Sequence, residues 1–174
     1  MITYKGFHKG LVCRGYQFKE REINRCDKAK TAREGFHSAE NPLDVLTYYP
    51  DPSVSEYWMC EVSGDVDEDG ADSKVSSTEI TPLHETGLRG ILMWGAITHC
   101  NCDEFAAANK ARFGRPAEAR FGYAISICAD ARAMGQDGDQ LLIIGDDDQV
   151  LLKVGEDGIK PNVWYNAHGE EAEM

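Results

Sequence analysis

Glu34-Gly35-Phe36-His37-Ser38-Ala39-Glu40-Asn41-Pro42-Leu43-Asp44-Val45-Leu46-Thr47-Tyr48-Tyr49 reads as the end of a buried strand that turns at Asn41-Pro42 into one short helix. Asparagine caps a helix by accepting from its unpartnered first amides, and proline fits the first helical position, where its missing N–H costs nothing. Leu43, Leu46 and Tyr49 recur at spacings of three and offer one face for docking. A strand leading straight into a docked helix marks a mixed α/β module, and the rest of the chain is read outward from it.

Upstream, residues 2–7 and 11–18 are aromatic and β-branched pieces separated by Lys9-Gly10, which predicts a strand pair. Residues 20–34 are charged and predict a surface connection with a short strand at Ile23. Downstream, Glu56-Tyr57-Trp58-Met59-Cys60-Glu61-Val62 alternates, so Trp58, Cys60 and Val62 should point inward and Tyr57, Met59 and Glu61 outward. Residues 64–72 read as an acidic turn, 74–82 as another strand, and 83–99 as a helix weakened by glycines.

From residue 101 the composition shifts to alanine and glycine, and Ala-Arg-Phe-Gly occurs at both Ala111 and Ala119. Small residues at short intervals suit a β-solenoid, whose coils turn inward and stack, while alanine propensity favours a helix over 104–112. Two apolar runs around Gly145-Asp146-Asp147-Asp148-Gln149 predict a hairpin, residues 160–165 a last strand, and the acidic tail from His168 should fray. The expected fold is α+β, mostly β. An N-terminal mixed α/β module occupies residues 1–100, and a short irregular β-solenoid-like segment with a closing β-hairpin occupies 101–174.

Thirty acidic residues against 18 basic give a formal charge of −12, which repels nucleic-acid backbones and anionic lipid and attracts basic protein surfaces. Neither direct nucleic-acid binding nor membrane binding is expected. No apolar leader precedes the six cysteines, so export through a cleaved signal is not expected and reduced thiols are. No apolar run approaches the roughly 20 residues of a membrane-spanning helix.

Two strings suggest metals. Asp65-x-Asp67-x-Asp69-Gly70 matches the opening of a calcium loop, but Ser76 stands where such a loop needs a bidentate glutamate. His99-Cys100-Asn101-Cys102 gathers soft ligands without the second pair a zinc site draws on. Neither completes a site, so no metal and no cofactor is assigned. No phosphate-binding glycine loop and no nucleophile–base motif is present, so no catalytic residue is assigned either.

Three blocks resemble an uncharacterised family found in phages and prophages of gut bacteria. They are Tyr4-Lys5-Gly6-Phe7 with Cys13-Arg14-Gly15-Tyr16-Gln17-Phe18, Gly35 to Asp44, and Asp72-Ser73-Lys74-Val75, and the ending Gly155 to Tyr165 is similar as well. The resemblance implies a mobile-element origin and a bacterial host cytoplasm as the compartment. Cys13-Arg14-Gly15 followed by Gly35-Phe36-His37-Ser38-Ala39 and a short helix also looks like the opening of ADP-ribosyltransferase-type domains. That likeness implies a phosphate-holding role for Arg14, a ring-flanking role for His37 or Tyr48, and an acid at Glu79 or Glu68.

The leading expectation is a non-enzymatic acidic phage-type protein that binds and inhibits a host protein with a basic surface. A nucleic-acid-binding defence nuclease such as a CRISPR effector fits, because clustered carboxylates imitate spaced phosphates. Its binding residues would be Asp65, Asp67, Glu68, Asp69 and Asp72, with Asp146, Asp147 and Asp148. The alternatives are a nucleotide-binding or ADP-ribosyltransferase-like domain using Arg14, His37, Tyr48 and Glu79, and a structural adaptor that forms homo-oligomers through an exposed edge.

Overall fold

The computed structural model describes residues 1–30, 33–68, 70 and 72–174. The chain divides into two compact units, Met1–Ile91 and Leu92–Met174, and the division falls within a helix.

In unit 1, β1 (Ile2–His8), β2 (Val12–Cys13), β3 (Tyr16–Gln17), β4 (Asn24–Arg25) and β5 (Phe36–Ala39) lead to a 3-10 turn at Pro42–Asp44 and α1 (Val45–Tyr48). The long strands β6 (Ser55–Glu68) and β7 (Lys74–Glu85) follow, and then α2 (Gly87–Asn101) begins. β1 runs antiparallel to β6 from Ile2↔Glu61 to His8↔Ser55, and to β5 at Tyr4↔Ala39. β7 pairs with both β5 and β6, so β1, β5, β7 and β6 close into a small barrel. Closure satisfies both edges of each strand with partners inside the barrel. The core is Phe7, Phe18, Phe36, Trp58, Cys60, Val62 and Ile80, with Leu11.

The strand turns at Asn41-Pro42 as expected, but into a 3-10 turn and a four-residue helix that ends before Tyr49 rather than into one helix. Asn41 is fully buried, and its side chain accepts from the Leu43 amide at 3.3 Å. Leu43, Val45 and Leu46 are buried beneath it. Trp58, Cys60 and Val62 point inward, but Tyr57, expected outside, is also buried because its hydroxyl donates to the Tyr49 carbonyl at 2.8 Å. The acidic turn expected over 64–72 is instead mostly strand. Gly64, at φ +73, sits in a register shift between Ser63 and Val66, so the chain bulges there and continues as β6. Asp65, Asp67 and Glu68 therefore lie on a strand, and Asp69 is outside the described residues.

Unit 2 contains the rest of α2, α3 (Asp103–Phe113), β8 (Ala117–Glu118), β9 (Tyr123–Ile127), β10 (Arg132–Met134) and β11 (Gln140–Ile144). β12 (Gln149–Lys153), β13 (Trp164–Asn166) and β14 (Glu171–Ala172) complete it. Alanine propensity prevails over 103–113, where the helix replaces any coil. β8 pairs parallel with β10 (Ala117↔Ala133) and β9 with β11 (Tyr123↔Gln140). The Gly145-to-Asp148 turn then reverses the chain, so β12 pairs antiparallel with β11 and no solenoid forms among the described residues. Buried Ala124, Ala131 and Ala133 pack with Leu141, Ile143, Val154 and Tyr165. The acidic tail is held by β14, which pairs with β13 at Tyr165↔Glu171. The molecule is thus α+β and mostly β, and no described helix is long and apolar enough to cross a membrane.

Candidate functional site

Unit 1 contains a cavity of about 590 Å³. Lys5 from β1 lies at its floor, Cys13, His37 and Tyr49 form its walls, and Arg14, Arg33, Tyr48 and Lys74 stand around its mouth. Among the described residues, four cationic side chains line it and no carboxylate does. For a chain of formal charge −12, that is a local inversion of sign.

Each wall follows from local sequence. Arg14 and Gly15, with φ +49 and +80, make the two-residue turn between β2 and β3, across which Cys13 pairs with Tyr16. This turn carries Arg14 into solvent beside the cavity. Gly6 in β1 has no side chain, and the Tyr49 ring lies directly against its Cα. Gly35, at φ +95, brings the chain close over Ser76 before β5 delivers Phe36 inward and His37 to the cavity. Tyr16 packs edge-on against Phe18 and Phe36 with centroids 4.6 and 5.1 Å away.

The floor is electrostatically unusual. Lys5 is only 5% exposed. Its ammonium donates to the His37 carbonyl oxygen at 2.6 Å, stands 3.8 Å from Cys13 Sγ, and lies 5.1 and 5.7 Å from the Phe7 and Phe18 ring centroids. Burial pushes its pKa below the ordinary lysine value, against a smaller opposing pull from Cys13 and Cys60. Cys13 Sγ is 3.2 Å from the Tyr49 hydroxyl, and burial, followed by that hydrogen bond, raises the Tyr49 pKa. Burial also lowers the pKa of His37, with further contributions from Lys5, Arg14 and Lys74. Its ring bonds the Lys30 backbone, while its buried Nε2 has no partner. At the mouth, Tyr48 donates to Asp72 Oδ2 at 2.6 Å and accepts from Lys74 Nζ at 3.3 Å.

The structure thus brings Arg14, His37 and Tyr48 to one cavity. It does not bring Glu79 or Glu68 there. Glu79 pairs with Arg25 at 3.0 Å and accepts from Ser63 at 2.8 Å on another part of the sheet, and Glu68 is exposed at the end of β6. Lys5, Cys13, Arg33, Tyr49 and Lys74 were not anticipated as site residues. The available signal was a lysine between Tyr4 and Gly6 in an otherwise apolar strand.

The acidic groups lie elsewhere. Asp65 and Glu68 are exposed on β6, with the Asp65 amide bonded to Thr78 Oγ1, and Asp67 is half-buried. Asp72 is engaged by Tyr48 and, at 4.0 Å, by Lys74. In unit 2, Asp146 pairs with Lys110 at 3.4 Å, Asp148 stands 3.3 Å from His168 Nδ1, and Asp147 is exposed. His99 and Cys100 end α2, and Cys102 stands at the cap of α3. Among the described residues no cluster of metal-ligating side chains is found.

Residues 1–93 match a domain of unknown function, DUF7666, and the chain belongs to that family. The matched span includes every residue of the cavity. No curated protein and no solved structure matches the chain.

Proposed function

We propose that the family domain is a nucleotide-binding module, with the cavity of unit 1 as its site. One observation carries this reading: among the described residues four cations and no carboxylate line a cavity that also holds tyrosine and phenylalanine rings, inside an acidic protein, with Asp72 reaching only Tyr48 and Lys74 at the mouth. Phosphate supplies the missing counter-charge, and a base supplies the flat ring that exposed tyrosines stack upon. The reading is binding rather than ADP-ribosyl transfer, since an oxocarbenium-like transition state needs a nearby carboxylate and Glu79 is committed to Arg25. The test is thermal stabilisation by 5′-nucleotides: ligand at 100 times its Kd should stabilise the fold by about 2.7 kcal/mol. Arg14→Ala should reduce that effect. No stabilisation by any nucleotide would reject the reading.

A second reading rests on a different observation, the exposed carboxylates of Asp65, Glu68 and Asp72 on the β6–β7 ribbon and of Asp147 in the β11–β12 turn. We propose these as the surfaces by which a phage-type protein in a bacterial cytoplasm would engage a basic host protein, including a CRISPR effector. Its mark is partner capture that falls steeply with salt and with Asp-to-Asn changes in one cluster. The two sheets of unit 2 end on β8 and β14 and on β9 and β12. An adaptor role through its edges would show as a stable homo-oligomer in light scattering.

A further inference from the structure

We infer that the cavity floor is a seat for a terminal phosphate, with Lys5 as its counter-charge, so that the ligand enters phosphate first and leaves its base at the mouth. The inference rests on the nucleotide reading and narrows it to nucleotides that end in a phosphate monoester.

The order of groups in the cavity carries the argument. Lys5 is buried, whereas Arg14 and Arg33 are exposed, and Tyr16 and Tyr48 leave 40% and 49% of their surface open. The rings beside Lys5, those of Phe7 and Phe18, are themselves buried, so the ring surface open to a base is that of Tyr16 and Tyr48. The Lys5 ammonium has three donors. One reaches the His37 carbonyl and one faces the Cys13 sulfur, and no further acceptor is found for it among the described residues. An ammonium held in a low-dielectric floor without a carboxylate is a costly arrangement, and a doubly charged phosphate relieves it directly. Burial raises the pKa of Tyr49 and pushes that of Cys60 to about 12, so neither supplies that charge, and Arg14 is a second cation.

A phosphate inside a dinucleotide has a substituent on each side. It cannot reach a closed floor without burying a second nucleoside there. A 5′-monophosphate has no such obstacle, and its unsubstituted end presents three oxygens to Lys5, while Arg14 stands nearer the mouth.

The experiment compares adenosine, AMP and NAD by thermal shift and calorimetry on the full chain and on Lys5→Met. AMP should bind the wild type at least tenfold more tightly than NAD or adenosine, and Lys5→Met should erase that preference, so that AMP binds no better than adenosine. Equal affinity for AMP and NAD, or an AMP preference that survives Lys5→Met, would overturn the inference while leaving nucleotide binding intact. Binding by none of the three would overturn both. Phosphorus NMR of AMP bound to the wild type tests the same seat without a variant. The bound phosphate should stay dianionic well below the ordinary second pKa of about 6. A bound resonance that titrates like free AMP would refute contact with Lys5.

Discussion

Replacing Gly6 by alanine should damage fold and site together, through one side chain. A Cβ built on Gly6 lies 2.7 Å from Tyr49 Cβ and closer still to ring carbons Cγ and Cδ2. Carbon atoms rest about 3.5–4.0 Å apart, so the ring must withdraw by roughly 1 Å. That movement pulls on the Tyr49 carbonyl, which accepts from Tyr57 at 2.8 Å, and opens the 3.2 Å contact with Cys13. Overpacking costs about 1–3 kcal/mol, and a weakened hydrogen bond adds about 0.5–1.5. A total near 2–4 kcal/mol implies a fall in Tm of at least about 8 °C for a unit of this size. The assay is a double-mutant cycle by thermal and urea melts on wild type, Gly6→Ala, Tyr49→Ala and the double variant. In the Tyr49→Ala background the ring is gone and only the 2.7 Å approach of the two Cβ atoms remains, so the added methyl should cost about 1 kcal/mol less than in wild type. An equal cost in both backgrounds would show that the Tyr49 ring is not what Gly6 accommodates.

Gly35→Ala should cost about 2–4 kcal/mol, because the position combines φ +95 with a Cβ 3.0 Å from Ala29 Cα and the Lys28 carbonyl. Gly15→Ala, at φ +80 with nothing near its Cβ, should cost only about 1 kcal/mol; urea melts of the pair separate strain from crowding. Lys5→Met should change how stability depends on alkaline pH. Because burial lowers the Lys5 pKa from 10.5, the unfolded chain holds a proton that the native chain lacks between the lowered value and 10.5. The penalty is complete below that window and absent above it, so wild type should gain on Lys5→Met with rising pH, by up to about 1.4 kcal/mol per unit. Urea melts at stepped pH check this, and parallel curves would count against a desolvated Lys5.

What the sequence disclosed follows the range of the forces involved. Asn41 capping Leu43 and the docking of Leu43 and Leu46 are local, and both were legible from the chain. Arg14, His37 and Tyr48 were readable as a group only through a likeness to other domains, since they come from a turn, a strand and a helix end. Lys5 was hidden because strand alternation gives the period of the side chains without saying which charge a closed barrel will bury. Gly64-Asp65 read as a turn because glycine beside aspartate usually marks one, yet one left-handed glycine made a bulge and β6 ran on. The tail after His168 reads as fraying because it is an acidic chain end, while β14 is held by pairing with β13.

The inverted sign of the cavity also bears on how the two proposed activities would respond to salt. At physiological ionic strength a charge is screened beyond about 8 Å, so the diffuse surface excess of −12 contributes little to a ligand already inside. Inside, Lys5 is shielded from counter-ions by its burial, and screening of its attraction is correspondingly weak. Rising salt therefore removes long-range repulsion of an incoming nucleotide while sparing the contact that holds it, and the two effects oppose each other. The exposed carboxylates of β6 and of the β11–β12 turn have no such protection, and any partner they attract is lost as salt rises. Nucleotide affinity that varies by less than about threefold from low to physiological salt would assign the recognition to the cavity floor, and a steep decline would return it to charges at the surface.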